Sequence, residues 1–572
     1  MPKLNSGSAI KQTYDAIIIG SGMSGGWAAK ELTEKGLNVL MLERGRNVEH
    51  LKDYPTTNMY PWEFEHRQQV PYEITSVNPI VSKCYAFKED AMHFMVKDKE
   101  HPYVQEKPFD WIRGYQVGGK SLLWARQTQR WSNLDFEGPA RDGFAVDWPI
   151  RYSDIAPWYS HVEKFAGISG NMDGLESLPD GDFLPGYPLN AVEEYFNTSV
   201  NKNYQNRHII SARCAHLSQP KQIHFDQGRA QCQNRTLCQR GCPFGGFFSS
   251  NASTIPWALK TGKLTLRPFS VVREITYDEK KGKAKGVKII DSQTKEEIEF
   301  FAKIIFVNAA ALNTNLLLLN SKSHRFPNGL GNDNGLMGKY IAFHNYSANI
   351  KAQYEGFKDI TTHGRNPAGG GYVPRFRNLH KQETDFLRGY ASGFSARRSI
   401  IQEDHGVGEK FKSQLLNEEL GPWTVGAHMM GETIPKESNY VTLDSDKKDD
   451  WEMPLLRISV DYDDNDFKMK KDYLEQFSEM FHKAGFSNIE TNDIKNKAPG
   501  LDIHEMGGVR MGHDPKTSLL NKWNQLHSCK NVFVTDGACM TSTSTQNPSL
   551  TYMALTARAA HFAVEELKKG NL

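Results

Sequence analysis

Residues 14–44 read YDAIIIGSGMSGGWAAKELTEKGLNVLMLER, and the order of the parts decides the fold. Tyr14–Ile19 is a short apolar run, the pattern of a parallel strand covered on both faces. It leads into Gly20-Ser21-Gly22-Met23-Ser24-Gly25. From Gly26 to Lys35, Trp27, Ala28 and Leu32 fall at helical spacing, and a second strand, Asn38–Leu42, ends at Glu43. Strand, glycines, helix, strand and acid in that order describe a dinucleotide-binding unit. Gly20 permits the tight turn, Gly22 lets backbone approach a pyrophosphate, and Gly25 lets helix lie close on strand. The helix start, with Ser24 in its first turn, offers unpaired N–H groups to phosphate. Glu43, followed by Arg44, stands where a carboxylate accepts both ribose hydroxyls. The motif alone does not separate FAD from NAD.

The bulk numbers fit a soluble globular protein. A chain of 572 residues is too long for one compact core, so two intertwined domains are expected. With 69 basic against 67 acidic residues, the formal charge of +2 gives no support for a nucleic-acid or anionic-membrane partner. The basic run DEKKGKAKGVK at 278–288 reads as a solvated hairpin. No charged start followed by an apolar stretch and cleavage site opens the chain, so no export signal is expected. The apolar run from Ile304 to Leu319 is interrupted by Asn308, Asn313 and Asn315, so no membrane span is expected. Seven cysteines, four of them scattered, do not form a disulfide framework.

Two further glycine signals follow. One is RGYQVGGKSLLW at 113–124; the other begins HEMGGVRMG at 504–512 and continues through NVFVTDGA (531–538) to NPSLT (547–551). Together with the opening motif they resemble the glucose-methanol-choline (GMC) oxidoreductase family, which is FAD-dependent. Weaker echoes are DWPIRYSDIAPWY (147–159), GNDNGLMGKYIAFH (331–344) and NYVTLD (439–444). The resemblance implies an α/β fold: a Rossmann-like FAD domain of discontinuous segments plus a substrate domain with an antiparallel sheet flanked by helices. Residues 1–50, 110–135, 225–345 and 495–572 would build the first. Residues 51–109, 136–224 and 346–494 would build the second and its cap. It further implies cofactor contacts at Gly118, Gly119, Ser121, Trp124, Val272, Asp536, Gly537, Asn547 and Ser549. Some relatives attach FAD through a histidine near the second motif; Gly119–Trp124 has none, so FAD is expected to be non-covalent.

Alcohol oxidation by a flavin sends a hydride from carbon to the ring and the hydroxyl proton to a base that is neutral near pH 7. Imidazole meets that condition. By resemblance His504 is this base and Asn547 its companion, an amide that hydrogen-bonds the same oxygen without competing for the proton. His513 reads as structural.

Cys232, Cys238 and Cys242 stand as C-x5-C-x3-C-P within 228–248. A zinc site wants four ligands, and no fourth cysteine or histidine lies close by, His224 being eight residues upstream. A disulfide would strand one thiol. The C-x3-C-P ending resembles ferredoxin-type ligand runs, and three thiolates suit a [3Fe–4S] cluster. Catalytic subunits of bacterial FAD-dependent glucose dehydrogenases and glucoside 3-dehydrogenases share this spacing and such a cluster. Related loops also occur in members not known to hold iron, so buried free thiols, zinc and a disulfide stay open. The same resemblance implies a cytochrome c-type acceptor and a small export-signal-bearing subunit, hence periplasmic location by co-export, with the cytoplasm as alternative. GYQVGGKSLLWARQTQRWS, with Arg126-Gln127 and Arg130-Trp131, resembles glucoside 3-dehydrogenases, implying a sugar or glycoside oxidised at C3. The aromatic-rich insert with Tyr54, Tyr60, Trp62, Phe64 and Tyr72 suits sugar stacking. The competing reading is an oxygen-using pyranose or alcohol oxidase without a cluster.

Overall fold

The structure, a computed structural model, describes residues 13–360, 370–401, 407–416, 419–493 and 497–572. Residues 1–12, which carry part of the N-terminal reading, lie outside the described residues, as do short pieces of the proposed 346–494 and 495–572 segments.

The opening stretch folds as its pattern dictates. β1 (Thr13–Ile19) leads into α1 (Met23–Glu34) and returns as β2 (Val39–Leu42). Ala16, Ile17 and Ile18 are wholly buried because the strand is covered on both faces. β2 pairs in parallel with β1 and with β3 (Leu264–Arg267). On the other side β1 pairs in parallel with β4 (Glu297–Val307), which in turn pairs with β5 (Val532–Val534). Segments hundreds of residues apart therefore meet in one parallel sheet. Before β4 the strands Ser270–Asp278 and Lys283–Asp291 run antiparallel, joined across the basic run, which is the expected hairpin.

A second sheet is antiparallel. Its order runs Ser487–Asp493, Ala348–Tyr354, Glu419–Glu432, Tyr390–Ile401, Gly371–Val373 and Ile210–Ser211. The helix Asp464–Lys483 covers it. Its N-cap Asp463 accepts from the backbone N–H groups of Asn465 and Asp466. Met469, Tyr473, Phe477, Met480 and Phe481 recur at helical spacing and are buried with Ile350, Phe394 and Val425. The insert 51–109 gives no strand to this sheet; its one pairing, Val104–Gln105 with Arg457–Ile458, lies in a small separate sheet. Among the described residues no helix is long and apolar enough to cross a membrane.

A buried ionic knot joins the second sheet to the segment 132–142. The Arg388 guanidinium, fully buried, donates through Nε to Glu432 (2.9 Å), through Nη1 to Asp142 (2.9 Å) and through Nη2 to the Leu134 carbonyl (2.9 Å). Burial pushes the Glu432 carboxyl up to about 7, against the pull of Arg388 and Arg375. Removing one partner of such a set strands buried charge, at a cost of about 3–5 kcal/mol. Arg388→Met should therefore lower the urea midpoint markedly, and an unchanged midpoint would show that the knot carries no stability.

Candidate active site

An internal cavity of about 790 Å³ runs between the two sheets. Its floor is the opening glycine turn. Gly20 has φ +100°, and a Cβ there would lie 2.2 Å from the Asn308 carbonyl oxygen. A Cβ on Gly25 would lie 2.0 Å from the Gly20 carbonyl oxygen, so only glycine lets α1 rest on β1. At Gly22 a Cβ would meet nothing within 4 Å, because that side opens into the cavity. The first turn of α1 carries no acidic residue, and its start, Gly22 to Ser24, lines the cavity.

The Glu43 carboxylate sits beside this turn. It accepts from the Ser21 N–H (3.2 Å), the Ser21 hydroxyl and the Gly45 N–H (3.0 Å). Burial pushes its pKa up, and those hydrogen bonds pull the other way. The Gly118 N–H donates to Ser21 Oγ (3.0 Å), which fixes the second glycine signal on the first. The Arg44 guanidinium lies between the rings of Tyr115 and Trp451, 4.8 Å from each centroid. It also donates to Asp449 (3.3 Å).

Gly20, Gly22, Ser24, Glu43, Arg44, Gly119, Ser121, Trp124, Val272, Asp536, Gly537, Asn547 and Ser549 all line the cavity. Gly25 and Gly118 stand behind its wall, where they set backbone spacing. The Asp536 carboxylate accepts from the Ala538 N–H (2.9 Å), and burial raises its pKa to about 6. Asn308, also at the wall, has a buried Oδ1 without a hydrogen-bond partner. An open side at Gly22 over a helix start, a buried carboxylate at the end of β2 and an unsatisfied polar atom at the wall are a lining that fits FAD.

Above this floor His504 and Asn547 face the cavity together. Nδ2 of Asn547 lies 3.1 Å from Nε2 of His504. On the other side of the ring, Nδ1 of His504 lies 2.9 Å from Nδ1 of His344, whose Nε2 lies 2.6 Å from the Ser544 carbonyl oxygen. The Asp502 carboxylate accepts from the His344 N–H (2.9 Å). Burial, with His344 and Lys120 nearby, holds His504 well below its usual range, so the ring is neutral. Lys120 makes an ion pair with Glu505 (3.3 Å) at the same wall. Sequence reasoning missed His344, Asp502, Lys120 and Glu505. The available signal was His344, which closes the echo at 331–344. His513 is exposed and lies 3.8 Å from Asp147.

The substrate end corrects one expectation. Of the insert aromatics, Tyr54 and Phe64 are buried away from the cavity, while Tyr60, Trp62 and Tyr72 face solvent, the first two stacked on each other. None lines the cavity. The aromatic residues that do are Tyr85, Trp111, Tyr115, Trp124, Tyr346, Tyr372 and Tyr552. Arg126 and Gln127 also line it. Arg130 instead forms a buried ion pair with Glu163, and Trp131 is core.

The cysteine loop borders the same cavity through Cys238 and its neighbours, and a small hollow beside it is lined by Cys232, Cys238 and Cys242 together. All seven cysteines are unpaired, so no disulfide forms here. The three Sγ atoms do not all lie within 4.8 Å of one another, whereas one tetrahedral zinc would hold its sulfurs about 3.8 Å apart. The histidine at the hollow is His216, with Nε2 3.9 Å from Cys238 Sγ. His224 caps its own short helix and contacts the Lys164 carbonyl. Burial raises the pKa of the Cys232 and Cys242 thiols, and the Gly246 N–H points at Cys242 Sγ (3.4 Å). The three cysteines thus share one hollow as unpaired thiols.

Residues 14–344 and again 435–556 match the GMC oxidoreductase family. The chain belongs to this family. The GMC oxidoreductases are flavin-dependent sugar and alcohol dehydrogenases and oxidases, and the cavity residues above are those that would hold FAD. This GMC oxidoreductase is 29% identical to the 2-methyl-1,2-propanediol dehydrogenase of Mycolicibacterium austroafricanum, over 96% of the chain and 94% of that protein. It is 26% identical to the fructose dehydrogenase large subunit of Gluconobacter japonicus, over 97% and 98%. Pyridoxine 4-oxidase from Mesorbium loti has the same fold, with TM-score 0.60, 16% identity and coverage of 96% and 98%.

The Gly22 geometry separates folding from cofactor binding. Gly22→Val should leave the urea midpoint of the FAD-free chain unchanged while cutting the flavin retained on purification severalfold. Full flavin retention would remove Gly22 from the cradle.

Proposed function

We propose that this GMC oxidoreductase is a dehydrogenase of sugars or glycosides. It oxidises a secondary hydroxyl, at C3, to a keto sugar and passes the electrons through a [3Fe–4S] centre on the cysteine loop to a cytochrome c-type partner. One observation carries the reading: a single cavity joins the glycine turn, the His504–Asn547 pair and Cys238. When bound, FAD supplies the two-electron acceptor for the hydride leaving carbon. His504 takes the hydroxyl proton, and the Asn547 amide, 3.1 Å from its Nε2, donates to the same oxygen. Away from this pair the lining is rich in polar groups, among them Gln68, Asp90, Arg126, Gln127, Tyr346 and Tyr372. A polyhydroxylated substrate satisfies such a wall better than an aliphatic diol does. The C3 position rests on the likeness of residues 114–132 to glucoside 3-dehydrogenases.

Arg229 supports the sulfur centre. It is fully buried, its hydrogen bonds go to the Gly245 and Ala166 carbonyls and to Gln227, and burial brings its pKa down to about 9, with Cys242 pulling the other way. A guanidinium beside Cys242 favours the thiolate form, which is the form that ligates metal. Non-covalent FAD, a small export-signal-bearing subunit and periplasmic location complete the proposal.

His504→Ala should retain flavin yet lose anaerobic bleaching by sugar about 10²–10⁴-fold; bleaching at the wild-type rate would refute His504 as base. Cys238→Ser should lower protein-bound iron and stop reduction of a cytochrome c-type acceptor while sugar still bleaches the flavin. Unchanged electron delivery, or wild-type protein without iron that makes peroxide rapidly, would instead favour the oxygen-using reading.

A further inference from the structure

We infer that His344 is the positioning residue that fixes the tautomer of His504, holding its Nε2 bare toward the cavity. The inference rests on His504 being the base and adds what makes it one.

The chain of contacts leaves one assignment of protons. A backbone carbonyl only accepts, so the His344 nitrogen 2.6 Å from the Ser544 oxygen, Nε2, carries a hydrogen. His344 is wholly buried, and burial brings its pKa down to about 4, so the ring is neutral and its Nδ1 is bare. Two bare nitrogens 2.9 Å apart repel, so Nδ1 of His504 must be the donor to Nδ1 of His344. A neutral His504 protonated at Nδ1 has its lone pair on Nε2, the nitrogen beside the Asn547 amide. Were His344 missing its acceptor, the His504 proton would be free to settle on Nε2. The base would then face the substrate with an N–H.

The backbone makes this arrangement stiff. His344 and Asn345 pair with Glu432 and Gly431 of the second sheet, and the His344 N–H is held by Asp502, two residues before His504. The Ser544 carbonyl belongs to the buried run 541–547 that ends at Asn547. Both members of the reacting pair are thus referred to one imidazole.

The acceptor is neutral, which sets the pH range. When His504 takes a proton, its Nδ1–H donates to a neutral ring and not to a carboxylate, so the imidazolium is less stabilised. The charged and titratable groups around it are Asp502 and Glu505 on its own segment and Lys120 from the turn after Gly119. Tyr346 and Lys497 flank Asp502, and Tyr552 comes from the C-terminal helix. Asp502 has its pKa raised to about 7 by burial, so it could produce a limb of its own in a pH profile.

The test compares three replacements in the FAD-loaded protein, read by anaerobic flavin bleaching across pH. His344→Leu removes the acceptor at similar bulk, and kcat should fall about 10²-fold with KM little changed and flavin content intact. His344→Asn puts Oδ1 where Nδ1 was and should restore the rate to within about fivefold of wild type. His344→Asp puts a charged acceptor there and should move the acid limb of kcat/KM upward by about one to three pH units. The same comparison in an Asp502→Asn background assigns the limb: it must persist without Asp502. Equal loss in the Leu and Asn variants with no movement in the Asp variant would reduce His344 to packing and overturn the inference. So would wild-type kcat and limb in His344→Leu. Failure of the base assignment itself looks different, because His504→Ala would then bleach normally whatever occupies position 344.

Discussion

The closeness of α1 to β1 is the constraint from which the site is built. Because positions 20 and 25 carry no Cβ, the helix start descends onto the strand end and lines the cavity. The same approach brings Asn308 against Gly20, and the Asn308 amide donates to Thr535 (2.7 Å) at the end of β5. From there the Gly507 N–H reaches the Gly537 carbonyl and the Val509 N–H the Ala538 carbonyl. The backbone that carries His504 is therefore tied, bond by bond, to the turn that would hold the pyrophosphate. The glycine turn and His504, from opposite ends of the chain, share one frame.

A second constraint lies at the wall that separates the reacting pair from bulk water. Almost every side chain from Thr535 to Asn547 is buried, so polar groups there must satisfy one another. Ser544 and Gln546 hydrogen-bond each other, and the Ser544 carbonyl is left for His344. Burial keeps both imidazoles neutral, and their hydrogen bonds fix their orientation. Both therefore take up a proton reluctantly.

What the sequence disclosed follows from what is local. Glycine spacing, strand length and the acid at position 43 are properties of thirty consecutive residues, and the dinucleotide unit was legible to within two or three residues at its boundaries. The meeting of His504 and Asn547 was legible only through resemblance, because nothing in HEMGG or NPSLT states that the two come together. His344 was invisible for the same reason: its contact with His504 spans 160 residues and arises from sheet pairing. At the cysteine loop, distance along the chain is a poor guide to which histidine lies near. His224 is closer along the chain, but the bridge between His216 and Phe247 carries His216 to the hollow. The aromatic insert showed the limit of composition: its rings are there, yet none of the five singled out turns toward the cavity.

The most direct measurement is the substrate isotope effect on flavin reduction. The purified protein is mixed, without oxygen, with a glycoside carrying deuterium at C3 and, separately, with its protiated form, and loss of flavin absorbance is timed. Transfer of that hydrogen as hydride, with His504 taking the hydroxyl proton, gives a rate slowed severalfold by deuterium at C3 and a 3-keto product. A colourless protein, no bleaching, or bleaching indifferent to deuterium at C3 contradicts it.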